Sequence, residues 1–282
     1  MKASNIIIRD ENKLAKKISK MKEGGASMLH VVSDFDRTLT RMAGKGHEFS
    51  TSYDCIDKGL GFEFEKQSKM MAGHYLPIEM SKSLSVKYKS KKMNEWWENY
   101  FELAIKHGMC KEIILGPVKK LQLDFRQGAI EFLKMLSKEK IPLLIFSAGA
   151  GDIIHESLKK NKLWASNIHI VSNFFKYDTS GKAVSYTMPL IHPFNKNESC
   201  VKKSKYKSQI AKRKNVILLG DSLGDLTMAK GMKHDCIIKI GFYNHEYDKE
   251  RISKHKKGYD VIITGNKDMR YANWLLKEII KG

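Results

Sequence analysis

Six short apolar runs recur along the chain and are separated by amphipathic segments. The runs are MLHVVSD (28–34), PLLIFSA (142–148), NIHIVSN (167–173), NVILLGD (215–221), DCIIKI (235–240) and YDVIIT (259–264). Their apolar character is nearly continuous rather than alternating, which is typical of strands covered on both faces and hence of a parallel sheet. The pattern predicts an α/β fold with a doubly wound, Rossmann-like sheet, in which ligands bind at the carboxyl ends of strands.

Helical periodicity occupies several of the intervening segments. Helices are predicted at 125–140, where Ile130, Leu133 and Leu136 recur at helical spacing, at 151–163, and at the more polar 244–256. The stretch at 172–189 predicts a short hairpin, because residues 178–181 have the composition of a turn.

Residues 41–124 interrupt the alternation of strand and helix. Segments such as EFEKQSKMMAGHYLPIEM and SKKMNEWWENYFELAIKHGM are helical in pattern, and no clear parallel strand lies between them. We therefore predict an α/β core made of residues 1–40 and 125–282, with an inserted helical cap at 41–124 that selects the substrate.

Composition limits the class of protein without naming its function. The chain has 282 residues and 42% apolar residues, enough for a substantial core. No apolar run approaches the ~18 residues of a membrane span, and the polar N-terminal segment is unlike a secretory signal, so a cytoplasmic protein with no membrane partner is expected. The four cysteines form no CxxC pair and are expected to be ordinary reduced thiols: Cys55, Cys110, Cys200 and Cys236.

The formal net charge of +20, from 51 Lys and Arg against 31 Asp and Glu, is the one compositional extreme. Such a charge attracts polyanions and would also steer a phosphorylated substrate. The lysines are spread along the chain, and motifs that interleave basic and aromatic residues are absent. The pattern favours a solvated lysine-rich surface over a nucleic-acid interface.

Carboxylates stand where two of the predicted strands end. In DFDRTLT, Asp34 and Asp36 follow the first apolar run, and in NVILLGDSLGD, Asp221 ends another strand with Asp225 four residues later. Two neighbouring acids repel each other unless a positive charge lies between them. A hard, oxygen-rich cluster of this kind suits Mg²⁺, which binds through one or two carboxylates together with a substrate phosphate.

Groups suited to binding phosphate accompany these acids. FSAGAGD places Ser147 at a strand end, followed by glycines that let backbone N–H groups approach an anion at the next helix. Lys196 lies in a predicted loop before the next helix. One carboxylate could attack phosphorus while the other acts as acid and base, with the serine, the amides and the lysine neutralising the phosphoryl oxygens. The combination predicts phosphoryl transfer, although each element alone is commonly a structural turn or a surface charge.

These motifs resemble those of the haloacid dehalogenase (HAD) superfamily of phosphatases with an aspartate nucleophile. The stretches HYLPIEM, FSAGAGDII, VSNFF, LIHPFNK and ILLGDSLGDLTMA are similar to the cytosolic 5′-nucleotidase III, or pyrimidine 5′-nucleotidase, family over most of the chain, with the weakest match in the cap. The resemblance implies a HAD-like core with a cap, Mg²⁺ as cofactor and a nucleoside monophosphate as substrate.

The resemblance also implies roles for individual residues. Asp34 would form an aspartyl-phosphate, and Asp36 would protonate the leaving 5′ oxygen and later activate water. Asp34, the backbone carbonyl of Asp36 and Asp221 would hold Mg²⁺, with Asp225 supporting the site from behind. The phosphate would be bound by Ser147, Ala148 and Lys196.

In the cap, Glu79 matches the glutamate with which the family contacts the base, since a carboxylate can accept from an exocyclic amine. Trp97, or its neighbour Trp96, matches an aromatic beside the base; packing within the cap is the alternative. Tyr100 departs from the family and could add a second stacking surface. The base therefore stays open between pyrimidines, as in CMP and UMP, and 7-methylguanine.

Three functions remain in competition at this point. The first is a Mg²⁺-dependent 5′-nucleotidase that acts as a monomer on a small-molecule nucleotide, without nucleic acid. The second is a HAD phosphatase for a non-nucleotide phosphomonoester such as phosphoserine, because the cap and not the motifs selects the substrate. The third is a basic RNA-binding protein on the same scaffold, which salt-dependent RNA binding would reveal.

Overall fold

The computed structural model describes residues 5–42, 51–120, 123–197, 205–231, 233–245 and 248–282. Its strands are β1 (Ile6–Ile8), β2 (Leu29–Ser33), β3 (Leu143–Ala150), β4 (Ile168–Asn173), β5 (Phe175–Tyr177), β6 (Ala183–Tyr186), β7 (Asn215–Gly220), β8 (Cys236–Tyr243) and β9 (Val261–Thr264). Its α-helices are α1 (Glu11–Met28), α2 (Ser52–Leu60), α3 (Phe62–Met80), α4 (Val86–Lys106), α5 (Lys111–Lys120), α6 (Ala129–Lys138), α7 (Gly151–Lys160), α8 (Lys205–Ile210), α9 (Lys249–Gly258) and α10 (Arg270–Lys281).

A seven-stranded sheet in the order β1-β9-β8-β7-β2-β3-β4 forms the centre of the molecule. All neighbouring strands are parallel except β1, which pairs antiparallel with β9 at one edge. The six predicted strands are confirmed, and β1 is an addition to them. Because β2 lies between β7 and β3, the carboxyl ends of three strands meet at one place. Asp34 and Asp221 directly follow β2 and β7, and Ser147 lies near the end of β3.

The central strands are buried on both faces, as their continuous apolar character predicts. Every residue of β2 and of β7 is buried. Along β2, Val31 packs into one hydrophobic cluster and Val32 into another, so the two faces of the sheet contact separate layers of helices. The α/β doubly wound class is confirmed.

The helix predicted at 125–140 is shorter than expected. Gly128 adopts a left-handed conformation (φ 87°) directly before the helix, which begins at Ala129. Ile130 does not face the core: 38% of it is exposed, and Phe132 is buried instead together with Leu133 and Leu136. The apolar face of α6 is therefore rotated from the one that the sequence indicated.

The hairpin and α7 agree with the predictions, whereas the helix predicted at 244–256 spans Lys249–Gly258 instead. Strands β5 and β6 form the antiparallel hairpin with its turn at 178–181, α7 lies within 151–163, and α9 begins after its N-cap Asp248. Helices α1 and α10, which the sequence analysis did not propose, pack against each other.

Helices α2 to α5 follow β2 and precede α6, and the segment at 41–124 that contains them is called the insertion. Among the described residues 51–120, strand pairing is limited to one isolated bridge at Cys110. Cys55, Cys110 and Cys236 are free thiols, whereas Cys200 lies outside the described residues. Within the described part of the chain, the helices are too short or too polar to span a bilayer.

Candidate active site

Asp34 lies directly after β2 and is almost fully buried. Its backbone N–H donates to Leu219 O of β7, which continues the parallel pairing (2.9 Å). Its carboxylate accepts from Lys196 Nζ (2.7 Å to Oδ1) and from Thr38 Oγ1 (3.2 Å to Oδ2). Burial, opposed by Lys196 and reinforced by Asp225, raises the pKa of Asp34 to about 6. The carboxylate of Asp34 is thus held in one orientation at the carboxyl end of the central strand β2.

Asp36 faces the first helix of the insertion rather than the sheet. Its Oδ1 accepts from the backbone N–H of Ser52 (2.9 Å), and its Oδ2 accepts from Ser52 Oγ (2.8 Å). Burial and the charge of Asp34 raise the pKa of Asp36 to about 7, even though the two bonds from Ser52 favour the charged form. A carboxyl group with a pKa in this range can both donate and accept a proton near neutral pH.

Lys196 bridges two of the acids. Its ammonium donates to Asp34 Oδ1 and, at 2.9 Å, to Asp225 Oδ1, and it is 5% exposed. Burial disfavours its charge, but Asp225 and Asp34 outweigh that cost and raise the pKa of Lys196. Asp225 also accepts from the backbone N–H groups of Asp221 (3.2 Å) and Ser222 (2.9 Å), so it holds the turn after β7.

The acids fit a divalent cation in number and chemistry. Asp34, Asp221 and Asp225 each offer a carboxylate oxygen within 4.8 Å of the others. Burial and the charges of Asp225 and Asp34 raise the pKa of Asp221 well above its usual range. Lys196 alone cannot neutralise three carboxylates, and an all-oxygen donor set is the one that Mg²⁺ prefers. The cluster also brings in Asp225, which the sequence resemblance assigns to a supporting role.

The last residues of β3, where the pairing with β4 shifts register between Phe146 and Ala150, pass close to Asp36. Ser147 is buried, and its Oγ accepts from the backbone N–H of Gly149 (3.0 Å). A Cβ atom on Gly149 would lie 2.6 Å from Asp36 Oδ2 and 2.3 Å from Ser52 Oγ, so only glycine fits there. The backbone at the end of β3 therefore lies in close contact with Asp36 and Ser52.

Glu79 is half-buried on the wall contributed by α3. Burial raises the pKa of its carboxyl group, while the charges of Lys196, Lys89 and Arg37 act in the opposite direction. The influence of Lys196 and Arg37 places Glu79 within electrostatic reach of the acid cluster. Glu79 and Lys196 line the same cleft.

Trp97 and Tyr100 of α4 belong to the same wall but are largely packed. The Trp97 indole N–H donates to Ala148 O (3.1 Å), which connects the insertion to the end of β3. The Tyr100 hydroxyl donates to Asp57 Oδ1 (2.7 Å), and its ring meets Tyr53 edge-on with ring centroids 4.8 Å apart. The two side chains combine packing within the insertion with a surface on the cleft.

One cleft of about 420 Å³ unites these groups. This volume is within the usual range for small-molecule sites. It is lined by nearly all the predicted site residues, namely Asp34, Asp36, Glu79, Trp97, Tyr100, Ser147, Ala148, Lys196 and Asp221. Asp225 lies behind the lining, where it contacts Lys196.

Sequence reasoning missed several residues of this site. Ser52 and Thr38 bind the two acids directly, and Asp57 and Tyr53 line the cleft. A capping-box pattern, Thr51 with Asp54 three residues later, could have located the start of α2 and hence Ser52. Nothing in the sequence indicates that this helix start faces Asp36.

Comparisons with known proteins identify the family to which this chain belongs. A family model described as pyrimidine 5′-nucleotidase (UMPH-1) matches residues 37–280. The chain belongs to this family. It is 36% identical over 283 residues to a 7-methylguanosine phosphate-specific 5′-nucleotidase of Homo sapiens, with 99% of this chain and 94% of the relative covered. It is also 36% identical over 276 residues to a putative cytosolic 5′-nucleotidase 3 of Caenorhabditis elegans, with 95% and 73% covered.

Solved structures agree with this assignment. The crystal structure of cytosolic 5′-nucleotidase IIIB bound to cytidine superposes with a TM-score of 0.90 at 28% identity, covering 99% of this chain and 95% of that one. A phospho-aspartyl intermediate analogue of phosphoserine phosphatase superposes with a TM-score of 0.52 at 19% identity, covering 86% and 96%, which shows a shared fold alone. The predicted HAD-like fold and the resemblance to the 5′-nucleotidase family are confirmed.

Proposed function

We propose that this member of the 5′-nucleotidase family is a Mg²⁺-dependent enzyme that hydrolyses nucleoside 5′-monophosphates to nucleoside and phosphate. The observation that carries the proposal is the single cleft in which Asp34, Asp36 and Lys196 face Glu79 across a space suited to one small ligand. The acids supply the chemistry of phosphoryl transfer, and the insertion supplies groups for a base.

In the proposed reaction, Asp34 Oδ attacks phosphorus and forms an aspartyl-phosphate as the bond to the ribose 5′ oxygen breaks. Asp36 gives its proton to that oxygen, and the nucleoside leaves. Asp36, now a carboxylate, takes a proton from water, which attacks the aspartyl-phosphate and releases phosphate. The raised pKa of Asp36, about 7, supports this exchange of roles.

We assign the Mg²⁺ site to Asp34, the backbone carbonyl of Asp36 and Asp221, with Asp225 holding the turn after β7 and Lys196. Bound Mg²⁺ would supply positive charge to the phosphoryl oxygens and relieve the repulsion among the carboxylates. Support comes from the three carboxylates within 4.8 Å and the raised pKa values of Asp34 and Asp221.

The remaining anionic charge of the phosphate would be met by Ser147, the backbone at Ala148 and Lys196. Preorganised donors of this kind contribute most where charge lies on phosphoryl oxygens. The buried ammonium of Lys196 is already fixed by two carboxylates, so little reorganisation is needed when a phosphate enters.

We further propose that residues 41–124 act as a cap domain on a core made of residues 1–40 and 125–282. In this arrangement Glu79 accepts a hydrogen bond from the amino group of the base, and Trp97, with Tyr100, contacts its ring. The names of several relatives favour 7-methylguanosine monophosphate, and the family description favours pyrimidines. A cytosolic protein that acts as a monomer is part of the same proposal.

Phosphate release from a panel of substrates tests this function. CMP, UMP, 7-methyl-GMP, GMP and phosphoserine are compared with and without Mg²⁺, for the wild type and for Asp34→Asn. We expect hydrolysis of one or more nucleotides that needs both Mg²⁺ and Asp34. Faster hydrolysis of phosphoserine would refute the assignment of the cap, and no release from any ester would refute the proposed chemistry.

A further inference from the structure

Ser52 connects the helical insertion to Asp36 through hydrogen bonds. It is the first residue of α2, and its side chain is completely buried. Its backbone N–H and its hydroxyl donate to the two different oxygens of Asp36. We infer that Ser52 is the positioning residue that holds Asp36 in the orientation needed to protonate the leaving group; this inference rests on the function proposed above.

One hydrogen-bond donor and one acceptor fix the direction of the Ser52 hydroxyl group. The backbone N–H of Ala150 donates to Ser52 Oγ at 2.8 Å and occupies one of its lone pairs. The hydroxyl hydrogen is then directed to Asp36 Oδ2, also at 2.8 Å. A serine hydroxyl can donate one hydrogen bond and accept others, so these two partners define its orientation. The chain from Ala150 through Ser52 to Asp36 thus leaves the carboxyl plane little freedom.

The backbone on both sides of Ser52 and Asp36 further restricts the position of Asp36. Thr51 and Asp54 form a reciprocal capping box that fixes the start of α2 and hence the direction of the Ser52 N–H. On the other side, Gly149 lies so close to Asp36 and Ser52 that a side chain there would overlap both. Asp36 is therefore enclosed between a helix of the insertion and the last residues of β3.

A consequence follows for substrates with different leaving groups. When a 5′-nucleotide reacts, the proton of Asp36 moves to the ribose oxygen as the P–O bond breaks, because an alkoxide is a poor leaving group. When p-nitrophenyl phosphate reacts, the nitrophenolate leaves with the bonding electrons and needs no proton. A misplaced Asp36 should therefore slow the first reaction and spare the second.

The test compares kcat/KM of the wild type and Ser52→Ala on the preferred nucleotide and on p-nitrophenyl phosphate, since kcat/KM reports the steps up to aspartyl-phosphate formation. We expect a loss of about 10- to 100-fold on the nucleotide, the size expected for a buried hydrogen bond to a charged group. On p-nitrophenyl phosphate we expect a change within about threefold. The ratio of the two values is independent of the fraction of enzyme that is folded.

Two further variants complete the design. Ser52→Thr retains the hydroxyl and should restore most of the wild-type ratio. Ser157→Ala removes another buried serine hydroxyl, on α7, and should leave the ratio unchanged. Equal losses on both substrates, or no loss on either, would overturn the inference. A wild type that hydrolyses no nucleotide would instead refute the proposed function, and the inference would fall with it.

Discussion

At the scale of single residues, Gly149 shows how closely the end of β3 approaches Asp36 and Ser52. Replacing it with alanine would put a methyl group 2.3 Å from Ser52 Oγ and 2.6 Å from Asp36 Oδ2. Ser52 is completely buried and Asp36 is bound to it through both carboxylate oxygens, so one of the two side chains must move. We expect Gly149→Ala to lower kcat by about 100-fold while the protein still folds, since misplacement by about 1 Å can cost this much.

Steady-state kinetics and circular dichroism of Gly149→Ala check this expectation. Gly73→Ala serves as the control, because a Cβ atom at this helical position meets nothing within 4 Å. It should keep wild-type kcat and gain slightly in stability, by about 0.5–1 kcal/mol. Full activity of Gly149→Ala would show that the end of β3 can move away from Asp36 and Ser52 without loss of catalysis.

Glu79 allows a prediction about the base. A carboxylate accepts from the amino group of cytosine, and uracil has no such group. We therefore expect Glu79→Gln to reduce kcat/KM for CMP by about 10-fold or more and to affect UMP less, because an amide is a weaker acceptor than a carboxylate.

The ratio of kcat/KM for CMP to that for UMP is the measurement. Glu63→Gln, an exposed substitution in the first turn of the same helix, should leave the ratio at the wild-type value. If Glu79→Gln lowers both substrates equally, the side chain supports the cleft without distinguishing the base.

At the scale of elements, Arg126 stabilises the backbone conformation of residues 37–40, which follow β2. Arg37 directly follows Asp36 in the sequence. It has a left-handed backbone conformation (φ 63°), which is unfavourable for a residue other than glycine. Arg126 is 1% exposed and donates to Arg37 O, Thr38 O and Thr40 O. Its guanidinium also lies over the Phe242 ring, 4.4 Å from the centroid. The loop conformation is thus imposed by a side chain from a distant part of the sequence.

Arg126→Lys should therefore reduce both stability and activity. An ammonium cannot reach all these carbonyl groups, and each buried acceptor left without a donor is costly. We expect a loss of about 2–4 kcal/mol in the free energy of unfolding, together with a reduced kcat at temperatures where the variant is folded. Denaturant unfolding and steady-state kinetics measure the two effects.

Arg213→Lys is the matched control for this prediction. Arg213 also donates to several carbonyl groups, those of Ala26, Leu29 and Lys140, but at the opposite end of β2. Its substitution should lower stability while kcat stays near the wild-type value. A normal kcat in Arg126→Lys would mean that the loop keeps its shape without the guanidinium.

The same elements show how far the sequence predicts this structure. Strands β2 and β7 could be located because both of their faces are buried, and the acids of the motifs follow them directly. Ser52 and Arg126 could not be found, because their roles depend on partners 16 and 86 or more residues away. The predicted start of α6 was wrong for a local reason, the left-handed Gly128.

At the scale of the whole molecule, the active site concentrates negative charge in a strongly positive protein. The chain carries +20 overall, yet Asp34, Asp221 and Asp225 converge around Lys196 in the interior. The surface charge can attract an anionic substrate toward the cleft. The interior charge instead favours a bound cation, so substrate attraction and metal binding are carried out by different parts of the molecule.

This charge distribution predicts how stability depends on pH and Mg²⁺. Burial raises the pKa of Asp34 to about 6 and that of Asp36 to about 7, above the roughly 3.9 of an unfolded aspartate. The folded, metal-free protein therefore binds protons more tightly than the unfolded chain, and these groups should make it lose stability as the pH rises from about 4 to about 7. Mg²⁺ binds the deprotonated carboxylates, so it should raise the melting temperature more at about pH 7.5 than at about pH 5. Thermal unfolding with EDTA or Mg²⁺ at both pH values measures this difference, and Asp221→Asn should abolish most of it. An equal Mg²⁺ effect at both pH values in the wild type would mean that these carboxylates do not bind the ion.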